Sequence, residues 1–407
     1  MIDDSSPKAF PLHGSQSEVL SELAWLRENR PLTRVVVLSG HEIWLATRYQ
    51  DARRILGDPR FGVPKEAHPD SPRLNPVPFD ADFPALRQLD PPDHPRMRNV
   101  LAPAFTVRRI DRLRPLVRQV ADRLLDAMAE TGPPADLVSG YADLLPAAVM
   151  CAWQNLPEQV ADRIRSWNAA MQGASSAEHV GAVRRQMLHY VNELIAARRA
   201  APGDDVVSSL IAARDERGAV SERELAVLIF QLLFSAHVTL SSLLASALSE
   251  LLRNPELWER LRSDPTLIPV AVEEMLRVHT VLKDGHLRVA REDVTLGGVT
   301  VRAGETVVVS VHSANRDAAV FPAPHGGVGS AQGHEQLDLE RAPNPHLTFG
   351  HGIHRCVAAH LNRVELQTGI AALLGRFPSL RLASTEAGQT WKALPRVYGL
   401  AALPVVW

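Results

Sequence analysis

Two cysteines in 407 residues are too few for a disulfide framework, and they sit in unlike surroundings. Cys151 closes the apolar run Ala147-Ala148-Val149-Met150 and reads as inert core. An excess of charge of one sign is also missing. The formal net charge of −2 argues against a nucleic-acid partner and against general attachment to a membrane surface. The first fifteen residues lack the apolar core of a signal peptide, so a soluble cytoplasmic protein is expected, with residues 1–18 a flexible N-terminus. No internal repeat is present. One apolar stretch, Leu225 to Leu252, has the length of a membrane span, but Gln231, Ser235, His237, Thr239, Ser241 and Ser242 interrupt it and no basic flank anchors it. It reads as a long helix buried in a globular protein.

What is abundant is apolar residues, 45% of the chain, enough for one large core and a single domain over residues 1–407. Between about residues 94 and 280 apolar residues recur at helical spacing with Pro, Gly and Asp breaks. Strands are expected in two places. Val35–Leu38 and Ile43–Leu45 flank a Ser39-Gly40 turn, and Val294–Leu296 and Val299–Val301 flank Gly297-Gly298, with Thr306–Ser310 continuing the second sheet. Residues 62–92 read as a long loop and Pro322 to Glu335 as a surface loop. The fold class is mainly α with minor β.

The second cysteine ends the run Phe349-Gly350-His351-Gly352-Ile353-His354-Arg355-Cys356, ahead of an apolar helix. Glycines let backbone N–H groups approach a sulfur, and a helix N-terminus favours negative charge. Both effects favour thiolate, the form that binds metal. A zinc site built from His346, His351, His354, Cys356 and His360 lacks the second cysteine pair that structural zinc usually takes. A merely buried cysteine is the plainest alternative.

The run resembles the haem-binding loop of the cytochrome P450 family. The resemblance implies haem b with Cys356 as axial iron ligand and Phe349 facing the ring. It also implies propionate partners at His94 and Arg98, an i,i+4 pair on one helix face, at Arg288, and at His354. Glu274 and Arg277, in Glu274-Met275-Leu276-Arg277, are then structural and are joined by Arg341, while Ala314-Asn315-Arg316-Asp317 matches another family segment. The family's enzymes are oxidoreductases that use oxygen. No flavin- or nicotinamide-binding segment is present, so electrons are expected from a ferredoxin and its reductase, docking on Arg108, Arg109, Arg112 and Arg355.

Departures from the family pattern are concentrated in Ser235-Ala236-His237-Val238-Thr239, where Ala-Gly-x-acid-Thr is usual. Thr239 keeps the alcohol and Ala236 leaves an oxygen-sized groove, but Val238 replaces the acid. Ala358 stands where Gly is usual and Asn362 where Ala is usual. The missing acid, the ten residues between Arg277 and Arg288, and Ser71-Pro72-Arg73-Leu74-Asn75 are similar to the members that couple the rings of an aromatic cyclic dipeptide, the mycocyclosin synthases. That resemblance implies a cyclodipeptide pocket walled by Asn75, Phe79, Met171, Gln231, Ser235, Val238 and Leu282. The alternative is conventional hydroxylation or epoxidation of a polyketide or other secondary metabolite. A haem gas sensor would need an output domain, and none is appended.

Overall fold

Residues 7–64, 71–74, 85–173, 176–235, 237–283, 285–322, 337–384, 390–392 and 397–407 are described by the structure, a computed structural model. The chain divides into two compact units, each assembled from two stretches. The first comprises Met1–Asp90 and Leu276–Cys356, the second Pro91–Met275 and Val357–Trp407.

The first unit is built on a six-stranded sheet. Its strands are β1 (Lys8–Phe10), β2 (Leu32–Val37), β3 (Glu42–Ala46), β4 (Phe61–Gly62), β5 (His286–Ala290) and β8 (Thr306–Val309), in the order β1-β2-β3-β8-β5-β4. The β2–β3 hairpin has the expected register, with Val35 opposite Ile43. The Val294–Leu296 strand (β6) and the Val299–Val301 strand (β7) form a separate two-stranded ribbon. Gly297 and Gly298 both take positive φ at its turn, as a primed turn requires.

Thr306–Val309 was expected to extend that ribbon; instead β8 lies between β3 and β5. Its four residues are all buried, whereas the ribbon strands alternate with exposed positions. A strand without a polar face needs cover on both sides, which only a central position supplies. Val307 and Val309 accordingly join one apolar cluster with Ile55 and Phe321, while Val308 joins the other with Val35, Ile43 and Leu45.

The N-terminal stretch expected to be loose carries structure from residue 8. Strand β1 pairs in parallel with β2. Ser15 then forms a capping box with Glu18 at the start of helix α1 (Gln16–Asn29), followed by α2 (Tyr49–Gly57). Within residues 62–92, Leu86–Gln88 forms a short 3-10 turn, and much of the rest lies outside the described residues, as do residues 323–336 of the expected surface loop.

The second unit is mostly helical, with a small antiparallel sheet of Ala135–Asp136, Arg381–Leu382 and Pro404–Val406. Helix α3 spans Asp93–Leu101. The apolar stretch read as one long helix is helical on both sides of residue 236, as α4 (Glu222–Phe234) and α5 (His237–Arg253). Ser235 caps α4, and residue 236 lies outside the described residues. Glu222–Arg253 is long and apolar enough to cross a membrane, yet most of it is buried. Nearly every apolar side chain of α4 and α5 has protein around it, so the run is core. Helix α6 (Ile268–Val278) links the units in sequence, and α7 (Ala359–Arg376) follows Cys356.

Candidate functional site

In the first unit, the Cys356 loop is held by its own backbone. The N–H of Cys356 donates to the Phe349 carbonyl at 2.8 Å, and that of Gly350 to the Leu347 carbonyl at 2.8 Å. Gly350 and Gly352 both have φ of +70°. A Cβ on Gly352 would lie 2.5 Å from the Leu56 carbonyl oxygen, so the loop approaches the end of α2 as closely as glycine allows. Gly352–His354 forms a 3-10 turn that leaves Ile353 half exposed.

The loop's entry is fixed by Asn315, which sequence reasoning noticed only as a family match. Its Oδ1 accepts from the Leu347 N–H at 2.7 Å, and its Nδ2 donates to the Thr348 and Thr280 hydroxyls at 2.9 and 3.0 Å. Thr348 in turn donates to the Leu276 carbonyl at 2.6 Å. Arg277, fully buried, donates to the Asn315 carbonyl at 2.9 Å and lies over the Phe321 ring. Arg341, also buried, donates to the Pro322 carbonyl at 2.8 Å.

Arg288 lies on β5 opposite Val307 and is 6% exposed. Its one hydrogen bond among the described residues runs from NH1 to the Leu287 carbonyl at 2.8 Å, and no carboxylate there reaches ion-pair distance. Burial pushes its pKa down to about 10, an effect that Asp90 opposes and Arg87 adds to. A buried cation lacking a counter-ion is costly, so the position is suited to an anionic ligand. That donor, with a glycine-built loop ending in a thiol, fits a dianionic macrocycle whose metal takes a soft ligand.

In the second unit, α3 carries His94, which is buried, and Arg98, which is partly buried, at the i,i+4 spacing that shares a face. The helix is tied to the start of α4 by Arg96, which bonds Glu224 and Asp93. The Arg96 guanidinium drives the Glu224 carboxyl down to about 2. Glu274 is fully buried on α6. On α4 and α5, Gln231, Val238 and Thr239 are partly buried and Ser235 is exposed. Met171 is partly buried, as is Leu282 of the first unit. Ala236, Asn75 and Phe79 lie outside the described residues.

His237 passed without a role in the sequence. The structure buries it and sets its Nε2 3.0 Å from the Asp143 carbonyl oxygen. The two cysteines separate sharply. Cys151 is 2% exposed and burial pushes its thiol up to about 12, so it stays protonated, whereas Cys356 is partly accessible. Among the described residues no three His, Cys, Asp or Glu side chains converge on a metal-sized point, and His360 pairs instead with Asp111 at 3.1 Å.

Comparison with known proteins adds to this geometry. A family model described as Cytochrome P450 matches residues 162–387. The mycinamicin IV hydroxylase/epoxidase of Micromonospora griseorubida is 40% identical over the whole of both chains. The nocardicin C N-oxygenase of Nocardia uniformis subsp. tsuyamanensis is 39% identical over 94% of each. Among solved structures, SgvP, a putative thioether synthase involved in the tailoring step of griseoviridin, superposes with a TM-score of 0.90 at 36% identity, covering 99% of this chain and all of the other.

Proposed function

The chain belongs to the cytochrome P450 family, and from that premise we propose that it inserts oxygen into a bacterial secondary metabolite as a hydroxylase or epoxidase. It is a haem b oxidoreductase of the monooxygenase type, supplied with electrons by a separate redox partner. The observation that carries the proposal is the end-to-end likeness to relatives whose names describe oxygen insertion, a macrolide hydroxylase/epoxidase and an N-oxygenase.

Cys356 would hold the haem iron, Phe349 would face the ring, and Arg288, His94, Arg98 and His354 would receive the propionates. The two units then act as one P450 domain. The bound haem supplies activation of molecular oxygen, tuned by the thiolate. What this chain's own residues contribute is placement. Thr239 offers a hydroxyl that passes a proton; Ala236, the small residue three positions before it, is outside the described residues. The candidate substrate-contacting residues are Gln231, Ser235, Val238, Met171 and Leu282, with Asn75 and Phe79 outside the described residues. Glu274, Arg277 and Arg341 keep the surrounding core in register. The protein is soluble and cytoplasmic, and its donor is a ferredoxin served by a ferredoxin reductase. Arg108, Arg109 and Arg112, exposed around Val107, which is itself 60% exposed, suit an acidic protein of that kind, and Arg355 is exposed as well.

A second reading, coupling of an aromatic cyclodipeptide, is favoured by one observation: Val238 removes the acid next to Thr239. The two readings differ in mass. Oxygen insertion adds one oxygen atom, whereas ring coupling removes two hydrogens per bond. Haem absorption titration with a macrolide panel and a cyclodipeptide panel, followed by product mass, decides between them. A spectral shift with macrolides and a product heavier by one oxygen supports the proposal. A shift confined to cyclodipeptides, with product lighter by two hydrogens, overturns it.

A further inference from the structure

Val238 leaves the position before Thr239 without an acid, and the residue preceding it takes no part in the function proposed above. His237 opens α5, is 9% exposed, and sets Nε2 3.0 Å from the Asp143 carbonyl oxygen. A carbonyl only accepts, so Nε2 carries the proton, which fixes the tautomer. Nδ1 is then a bare acceptor, with no partner among the described residues. Burial lowers the ring's pKa, so the side chain remains a neutral donor.

The acceptor is itself tied down from two directions. The Asp143 N–H donates to the Val138 carbonyl at 2.9 Å, closing a π-turn over Val138–Ala142 against which α5 packs. The Asp143 carboxylate accepts from Lys392 Nζ at 2.6 Å. Turns of this wide type are rare and are enriched at functional positions. The first turn of α5 also holds Thr239, two residues beyond His237.

We propose that His237 is a positioning residue, whose bond to the Asp143 carbonyl fixes the first turn of α5 and so the direction in which Thr239 presents its hydroxyl. Lys392 secures the acceptor. The inference rests on Thr239 being the alcohol that passes a proton.

The test uses the reconstituted holoenzyme with substrate, and reads product formed and peroxide released per nicotinamide consumed. A failed cycle spends one oxygen molecule, two electrons and two protons on each hydrogen peroxide. His237→Ala should raise the peroxide-to-product ratio roughly fivefold, the effect of losing one neutral hydrogen bond. Haem content and the reduced carbon monoxide spectrum should match the wild type. His237→Gln, which restores an N–H donor, should recover most of the loss, and Lys392→Met should give a smaller rise. In a Thr239→Ala background, His237→Ala should add nothing. An unchanged ratio in His237→Ala, equal haem loss in the Ala and Gln variants, or a full additional effect on Thr239→Ala overturns the inference. If Thr239→Ala raises peroxide and His237→Ala does not, this inference alone fails. If Thr239→Ala is itself without effect, the proton-passing role of Thr239 fails and takes this inference with it.

Discussion

The stretch around Cys356 and the stretch around Thr239 are held by different kinds of contact. From Leu347 to Cys356 the geometry is made by backbone hydrogen bonds, two positive-φ glycines and one buried asparagine that serves the backbone. On either side of residue 236 the chain is helical, and the side-chain bonds described there are His237 to the Asp143 carbonyl and Ser241 to the Val238 carbonyl. Val238, which stands where the family pattern has an acid, lies in the second of these stretches.

The largest expected effect tests the Cys356 stretch. Cys356→Ala should abolish the thiolate-type absorption of the reduced carbon monoxide complex and all turnover, whereas Cys151→Ala, at a thiol that burial keeps protonated, should leave both intact. Loss of the absorption in the Cys151 variant instead would reverse the ligand assignment.

Next in size is Arg288→Met. With haem present, a propionate left short of its partner should weaken retention by about 2–5 kcal/mol. In haem-free protein the sign should change, because the variant removes a buried cation whose pKa burial has already lowered to about 10. Haem transfer to an apo-acceptor and thermal unfolding of both forms measure the two halves. Equal retention by variant and wild type would place the clamp elsewhere.

Gly352→Ala sharpens the comparison from the backbone side. The new Cβ would meet the Leu56 carbonyl at 2.5 Å and force a non-glycine residue to φ of +70°, a strain of about 1–3 kcal/mol. The loop should loosen, and melting temperature and haem content should fall together. Gly298→Ala has a similar φ but no atom within 4 Å of its Cβ, and so should cost less. Equal losses would mean that close approach to α2 does not matter.

Much of this was legible in the sequence because periodicity and turn chemistry are local. The Gly297-Gly298 ribbon, the β2–β3 hairpin and the Gly350–Gly352 loop each announce themselves within ten residues. The placement of Thr306–Val309 in the centre of the larger sheet was not legible, because it depends on which distant strand buries its second face. The order of Lys8–Phe10 was missed for a like reason: three residues between Pro7 and Pro11 show no period, and their pairing partner lies at Val35–Val37. At the site, motif order singles out Cys356, Arg288 and Thr239 as candidates, and the structure adds that Arg288 is buried on β5. Asn315 and His237 could not be assigned work, since their acceptors and donors are Leu347 and Asp143, far away in the chain.

Val238→Glu is expected to give the smallest effect, and it tests the other side of the comparison. If a missing acid were simply a defect, restoring it should raise product formed per nicotinamide consumed. Val238 is partly buried at the start of an apolar helix, and Val227, Leu228, Leu232, Leu240 and Leu243 of the same two helices are all buried. A carboxyl placed there loses hydration, which raises its pKa and favours the neutral acid. A neutral acid beside the Thr239 hydroxyl adds a donor without adding a base, while its bulk narrows the space above the substrate. The expected outcome is a small fall in coupled turnover and little change in peroxide, set against a several-fold rise in peroxide for Thr239→Ala. Product and peroxide per nicotinamide, measured at one substrate concentration for wild type and both variants, decide it. A rise in coupled turnover for Val238→Glu would mean that the native stretch is a weak proton path, and that its departure from the family carries no message about substrate.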